Sequence, residues 1–284
     1  MKNPFFSIII PTYNRKDFLP IAVESVLNQS YTNYELIIVD DGSSDKTKAI
    51  IKKFYNNNKK IIYTYQKHQG VSLARNKGLL KAKGKFISFL DSDDRFLKNK
   101  LLTFHDYINK NPNYKIFYSK EIWYRNGKFF SQKAHHRKPS GFIFSQSLKL
   151  YSVGLSTAAF SRDIFKTIGY FDKILPTCED YDFLLRVSSM YPIFLIPEYL
   201  TIKEGGHTDQ LSKKYPAMDK FRIYALEKIL KSKILSMTNY QLAYQELKTK
   251  CDIYIKGAIK RNKKSEIAYY SNLCKKLNSI SMRP

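Results

Sequence analysis

A chain of 284 residues with 43% hydrophobic and 15% aromatic side chains can bury a large core, which excludes an intrinsically disordered protein. Its formal net charge of +25 fits either a basic soluble surface or an anionic partner such as phosphate, nucleotide or anionic lipid. Cys178, Cys251 and Cys274 are odd in number and in no metal spacing, which excludes a disulfide framework, and no run reaches the roughly 18 apolar residues of a membrane span.

The N-terminal patch is too short for a signal peptide and runs directly into Pro11-Thr12-Tyr13-Asn14, so the expected location is the cytoplasm. Phe5 to Ile10 reads as a buried strand stopped by Pro11. Ile21, Ala22, Val26 and Leu27 then recur at helical spacing. Tyr34 to Val39 is a second buried strand, ending in Asp40-Asp41-Gly42-Ser43-Ser44-Asp45, where Ser44 or Asp45 can cap a helix running to about Tyr55. Lys60 to Gln66 predicts a third strand and Val71 to Ala82 a helix closed by Gly84. Strand and helix alternate four times in this way, which predicts a parallel sheet with right-handed crossovers and helices on both faces.

The fourth strand, Phe86 to Leu90, ends in Asp91-Ser92-Asp93-Asp94. Carboxylates at the end of such a strand lie in the crevice where open α/β sheets bind ligands. Close carboxylates repel one another unless a cation joins them, and hard oxygen ligands suit Mg²⁺ or Mn²⁺ holding substrate phosphates. The alternative is a solvated acidic loop that only stops a strand.

Beyond Asp94 the pattern changes. Lys100 to Asn109 predicts a helix, and Tyr114 to Tyr124 with Lys128 to Ser131 a hairpin around Asn126-Gly127. Ser161 can cap a short helix ending at Gly169. Asp180 to Met190 shows one apolar face, and Ile193 to Ile196 is a further strand. Helical pattern resumes near Pro216 and continues to the end. From Lys213 to Pro284 there are 17 Lys or Arg against 5 Asp or Glu, which fits either docking on an anionic membrane surface or a solvated helix face. His135-His136 reads as an exposed basic loop, and Trp123 as core.

Taken together, Ser7-Ile8-Ile9-Ile10-Pro11-Thr12-Tyr13-Asn14-Arg15, Ile38-Val39-Asp40-Asp41-Gly42-Ser43-Ser44-Asp45, Ala74-Arg75-Asn76-Lys77-Gly78, Phe89-Leu90-Asp91-Ser92-Asp93-Asp94 and Cys178-Glu179-Asp180-Tyr181-Asp182 resemble the family-2 inverting glycosyltransferases. The resemblance implies the A-type nucleotide-sugar fold, a Rossmann-like α/β core with a helical C-terminal extension. It places the donor in residues 1–95 and the acceptor in 96–212 of a catalytic domain spanning 1–212, with 213–284 a basic helical region. It also implies a sugar donor, UDP-linked in this reading, and Mn²⁺ or Mg²⁺ as cofactor. Pro11, Tyr13, Asp41, Arg75 and Asp91 match nucleotide-binding positions, with Asp41 reading the base. Asp93 matches the metal ligand. His207, in Gly205-Gly206-His207-Thr208-Asp209-Gln210-Leu211-Ser212, resembles a histidine that reaches the metal or diphosphate. Asp180 matches the general base, with Glu179 and Asp182 as competitors; an aspartate at a helix start is otherwise a cap.

The expected partners are the nucleotide-sugar donor, a glycan or lipid-linked acceptor of cell-surface polysaccharide or lipopolysaccharide synthesis, and an anionic membrane surface. Polyprenyl-phosphate glycosyl transfer is the same-fold alternative, and a non-catalytic basic binding protein the alternative of another class. No nucleic-acid recognition motif accompanies the charge, so no nucleic acid is expected.

Overall fold

The computed structural model describes residues 3–55, 58–132, 137–149, 152–207, 210, 214–215 and 217–281. The pair His135-His136 and the segment 211–213 lie outside them, as do residues 208 and 209. The strands are β1 (Phe6–Thr12), β2 (Tyr34–Asp40), β3 (Ile61–Tyr65), β4 (Phe86–Phe89), β5 (Arg95–Phe96), β6 (Ile116–Arg125), β7 (Lys128–Phe130), β8 (Ala158–Ser161) and β9 (Phe194–Gly205). The helices are α1 (Leu19–Leu27), α2 (Thr47–Tyr55), α3 (Val71–Lys81), α4 (Lys100–Lys110), α5 (Phe144–Lys149), α6 (Ile164–Ile168), α7 (Glu179–Ser188), α8 (Asp219–Lys231), α9 (Met237–Lys260) and α10 (Lys264–Ser281).

One sheet runs in the order β3-β2-β1-β4-β8-β6-β9-β5, with β7 paired to β6. The expected parallel arrangement holds from β3 to β4, where β1 pairs β2 and β4 in parallel. β8 then enters antiparallel to both β4 and β6, so the whole sheet is mixed. The chain passes from β1 outward to β3 and returns to the other side of β1 as β4. The gap beyond the ends of β1 and β4 is therefore the topological switch point, where α/β sheets bind ligands.

β1 does not stop at Pro11 but continues to Thr12, in register with Asp40 of β2. In a parallel ladder alternate residues face alternate neighbours. Ile9 faces β4, accepting from Leu90 N–H, and Thr12 faces β2, accepting from Asp41 N–H. Pro11 thus turns its missing N–H toward β4, whose pairing with β1 has ended at Ile9.

The continuous apolar runs reflect burial on both faces of the sheet. Ile9, Ile37 and Phe89 belong to a core beneath α3, α6 and α7, while Ile8, Ile10, Leu36 and Ile38 belong to another beneath α1 and α4. A third core joins α8, α9 and α10 to α5 and α7 through Leu148, Tyr181, Leu185, Leu226 and Leu247. Gly78 lets α3 lie close on β1: a Cβ there would meet Ile9 Cγ2 at 2.4 Å. That approach fixes the level of Arg75, one turn earlier. The short helix before Gly169 starts from Asp163, not from Ser161, and Asp45 rather than Ser44 accepts the Thr47 N–H ahead of α2. No described helix is long and apolar enough to cross a membrane.

Candidate active site

Asp41 stands just past β2 with only 3% of its surface exposed. Its Oδ1 accepts from the Gln66 side chain at 2.7 Å and Gln69 N–H at 2.9 Å; its Oδ2 accepts from Gly70 N–H at 2.8 Å and meets His68 Nδ1 at 2.8 Å. Three donors and the His68 imidazole thus surround one carboxylate, and His68 Nδ1 also stands 3.0 Å from the Asp41 carbonyl oxygen. Tyr13, half-exposed beyond β1, stacks on the His68 ring at 3.9 Å between centroids and 19° between planes. Asp40, fully buried, accepts from Ser43 N–H and the Tyr63 hydroxyl and so fixes the turn.

Arg75 joins the two halves of the site. Its guanidinium is buried and forks between Asp91, at 2.7 Å from Oδ1, and Glu179 at the start of α7. Burial opposes ionisation of Asp91, but Arg75 and Lys203 outweigh it and hold the carboxyl below the usual range. Burial likewise pushes Glu179 up to about 7, against the pull of Arg75 and with Asp180 adding to the rise. Ser156 Oγ accepts the Asp91 N–H at 3.1 Å, and Ser156 carbonyl accepts from the fully buried Lys100 at 2.9 Å. Asp94 points inward beside Lys203 Nζ, 3.7 Å from its Oδ2; burial pushes its carboxyl up to about 8 despite Lys203.

Asp93 and His207 meet across the crevice, with Nε2 2.9 Å from Oδ2, and Arg15 stands 4.0 Å from the same oxygen. An octahedral Mg²⁺-type ion holds ligands at about 2.1 Å, which puts neighbouring ligands about 3 Å apart. The Asp93–His207 separation fits two such positions. Among the described residues no group of three His, Cys, Asp or Glu forms a complete cage, so the other positions would belong to phosphate oxygens and water, the usual arrangement for this ion.

Asp180 occupies the first turn of α7, after Cys178 turns the chain with φ 61°. Its Oδ1 accepts the Tyr181 N–H at 2.7 Å, and the side chain is partly exposed. Burial raises its pKa, opposed by Arg75 and helped by Asp91. A raised carboxyl with an open side, held beside the strand-end acids, is equipped to take a proton. Asp182 is instead buried and bound to Arg186 and Lys228.

The crevice thus gathers Tyr13, Asp41, Arg75, Asp91, Asp93, Asp180 and His207, with Pro11 buried at its floor. Sequence reasoning brought His68 to the converging strand ends without giving it a role, and missed Lys203, Lys100 and Ser156. Lys203 and Lys100 carry no signal in sequence, since their partners come from distant strands. The signal for His68 was its place just beyond the third strand, on the edge where the other strand ends converge.

A family model described as Glycosyl transferase family 2 matches residues 7–169. An uncharacterized glycosyltransferase of Rickettsia typhi is 34% identical over 202 residues, covering 66% of this chain and 61% of the relative. A putative teichuronic acid biosynthesis glycosyltransferase of Bacillus subtilis is 32% identical over 161 residues, 56% of this chain and 63% of the relative. The chain spans between 31% and 61% of the length of the first curated relatives it matches. S. aureus TarS residues 1–349, solved with UDP-GlcNAc, superposes with a TM-score of 0.71 at 22% identity, covering 85% of this chain and 70% of that one. A Pyrobaculum calidifontis mannosyltransferase solved with GDP-Man and Mn²⁺ gives 0.63 at 13% identity, covering all of this chain and 89% of that one. Both likenesses are likenesses of fold.

Proposed function

The chain belongs to glycosyl transferase family 2, and from that premise we propose that it is a metal-dependent inverting transferase. It moves a hexosyl or N-acetylhexosaminyl group from a nucleotide-diphospho-sugar, UDP-linked in this reading, to a glycan or lipid-linked acceptor of cell-surface polysaccharide synthesis. The observation that carries the reading is the Arg75 fork, which ties donor-side Asp91 to Glu179 and so holds Asp180 over the same crevice. Structural neighbours solved with UDP-GlcNAc and with GDP-Man and Mn²⁺ support the donor class. The teichuronic acid relative supports the acceptor class.

In this reading residues 1–95 take the donor and 96–212 the acceptor, and the helices from 213 onward support the acceptor side. Tyr13 and Pro11 carry the base, which displaces His68 from Asp41. Arg75 keeps Asp91 ionised toward the ribose. Asp93 and His207 would hold a divalent cation, which when bound neutralises charge developing on the diphosphate. Asp180 orients the acceptor hydroxyl and takes its proton as that oxygen bonds to the anomeric carbon. The bond from that carbon to the diphosphate oxygen breaks, and its electron pair leaves with the diphosphate. One displacement from the opposite face inverts the anomeric configuration. The basic charge of the C-terminal helices supports docking on the inner face of an anionic membrane.

A panel of UDP-, GDP- and dTDP-sugars scored by thermal shift with and without Mn²⁺ tests the reading. A Mn²⁺-dependent rise in melting temperature with one UDP-sugar is expected. No stabilisation by any of them contradicts it.

A further inference from the structure

Away from the crevice, the turn between α9 and α10 and the start of α8 enclose a cavity of about 670 Å³. Three cations line it: Lys220 from α8, and Arg261 and Lys263 from the turn. The one carboxylate, Glu266, is engaged within the wall. Its Oε1 accepts from Lys263 Nζ at 3.0 Å and its Oε2 from the Tyr254 hydroxyl at 2.8 Å. No ion pair within 4 Å is formed by Lys220 or Arg261 among the described residues, although Arg261 acts on Glu266 through space, and three cations against one carboxylate leave the described lining net positive. Gly257 leaves the room in which the Arg261 guanidinium lies: a Cβ there would meet Nη1 at 3.2 Å.

Ser265, Ala217 and three tyrosines complete the described lining. Tyr254 and Tyr270 pack at 4.5 Å between centroids, and Tyr269 meets Tyr270 edge-on at 5.0 Å. Tyr269 lines the cavity and remains 57% exposed. Among the described lining residues Ala217 is the only aliphatic one. An exposed ring with a hydroxyl tip suits the C–H face and hydroxyls of a sugar, and a guanidinium suits a carboxylate or phosphate.

The cavity is linked through one chain neighbour and one contact to the segment that leads into α7. Ala217 lines it, and the next residue, Met218, receives the Thr177 hydroxyl at 3.7 Å from its sulfur. Thr177 stands three residues before Asp180. We propose that this cavity is a subsite for an anionic glycan, in which Lys220 and Arg261 pair with its carboxylate or phosphate groups and Tyr269 stacks on a sugar ring. The proposal rests on the glycosyl-transfer reading and names the acceptor's class: a charged saccharide held beyond the reacting hydroxyl.

Calorimetry on the full chain with oligogalacturonate, inorganic phosphate, neutral maltohexaose, an oligothymidylate and phosphatidylglycerol vesicles tests it. Oligogalacturonate is expected to bind with salt-sensitive affinity that falls at least tenfold in the Lys220→Gln/Arg261→Gln double variant. Tyr269→Ala is expected to weaken oligogalacturonate but not phosphate. Binding of phosphate that the double variant loses, with no gain from the saccharide, overturns the glycan assignment. So does maltohexaose or oligothymidylate bound as tightly as oligogalacturonate, or vesicle binding alone that depends on Arg261. Hydrolysis of a UDP-sugar by the same variants is expected to match the wild type. Absence of donor hydrolysis in the wild type would count against glycosyl transfer and leave the saccharide measurement to be judged on its own.

Discussion

His207 Nε2 stands 2.9 Å from Asp93 Oδ2, although the two residues are far apart in the chain. If the pair receives a cation, Asp93→Ala should reduce UDP affinity in Mn²⁺ to the value seen without metal. His207→Ala should have the same direction and a smaller size, because phosphate oxygens and water supply the remaining ligands. Titration calorimetry with and without Mn²⁺ measures both. UDP affinity in Mn²⁺ that neither substitution changes would remove the metal assignment.

His68 provides a second test. Its imidazole stacks on Tyr13 and meets Asp41, as a pyrimidine with an imide N–H would. Donor binding must therefore displace it. His68→Ala is expected to tighten UDP binding, whereas Asp41→Ala should weaken it by about 1.5–3 kcal/mol, about ten- to a hundredfold. Weaker UDP binding in His68→Ala would make the imidazole a platform for the base rather than its rival.

Arg75 is predicted to be structural as well as functional. Replacing it by Met leaves the buried Glu179 and the part-exposed Asp91 without their shared cation, and breaking one side of a buried ion pair costs about 3–5 kcal/mol. Denaturant unfolding should show a loss of that size. A loss below about 1 kcal/mol would mean that the fork is solvated in solution.

The first ninety residues are legible in the sequence because their strands are buried on both faces and read as unbroken runs, as in Ile8-Ile9-Ile10 and Ile37-Ile38-Val39. Asn126-Gly127 gave the hairpin through turn chemistry. β8 is different: Ala158-Ala159-Phe160-Ser161 has no β-branched residue and no alternation, and its place is set by packing between β4 and β6. β5, of two residues, exists only because β9 extends as far as Gly205. In the crevice the strand-end acids are local features and can be read from sequence. Lys203 and Lys100 are not, because what makes them matter is proximity to Asp94, Glu121 and Ser156 in the folded chain.

Lys100 carries a pH prediction. Full burial depresses its pKa from 10.5 to about 7, with Glu121 and Asp94 opposing the fall. Between those values the unfolded chain holds a proton that the folded chain has released, so this residue makes stability rise with pH across that window. The slope is at most about 1.4 kcal/mol per pH unit. Lys100→Met removes this contribution. The stability of the variant relative to wild type should therefore be greatest near pH 7 and decline toward pH 10. A relative stability that does not change with pH would mean that Lys100 keeps its ordinary proton affinity.

Asp180→Asn gives the most direct measurement of the central claim. The amide keeps the shape at the start of α7 and can still hydrogen-bond, but it cannot accept the acceptor's proton. Donor and Mn²⁺ affinity should stay within about twofold of wild type while transfer falls by about 10²–10⁴. In the wild type, transfer should decline on acidification at a pH above the ordinary carboxylate range, since burial raises the Asp180 pKa. The product should carry the anomeric configuration opposite to the donor's. Near-normal turnover by Asp180→Asn, or a product that keeps the donor's configuration, would contradict the mechanism.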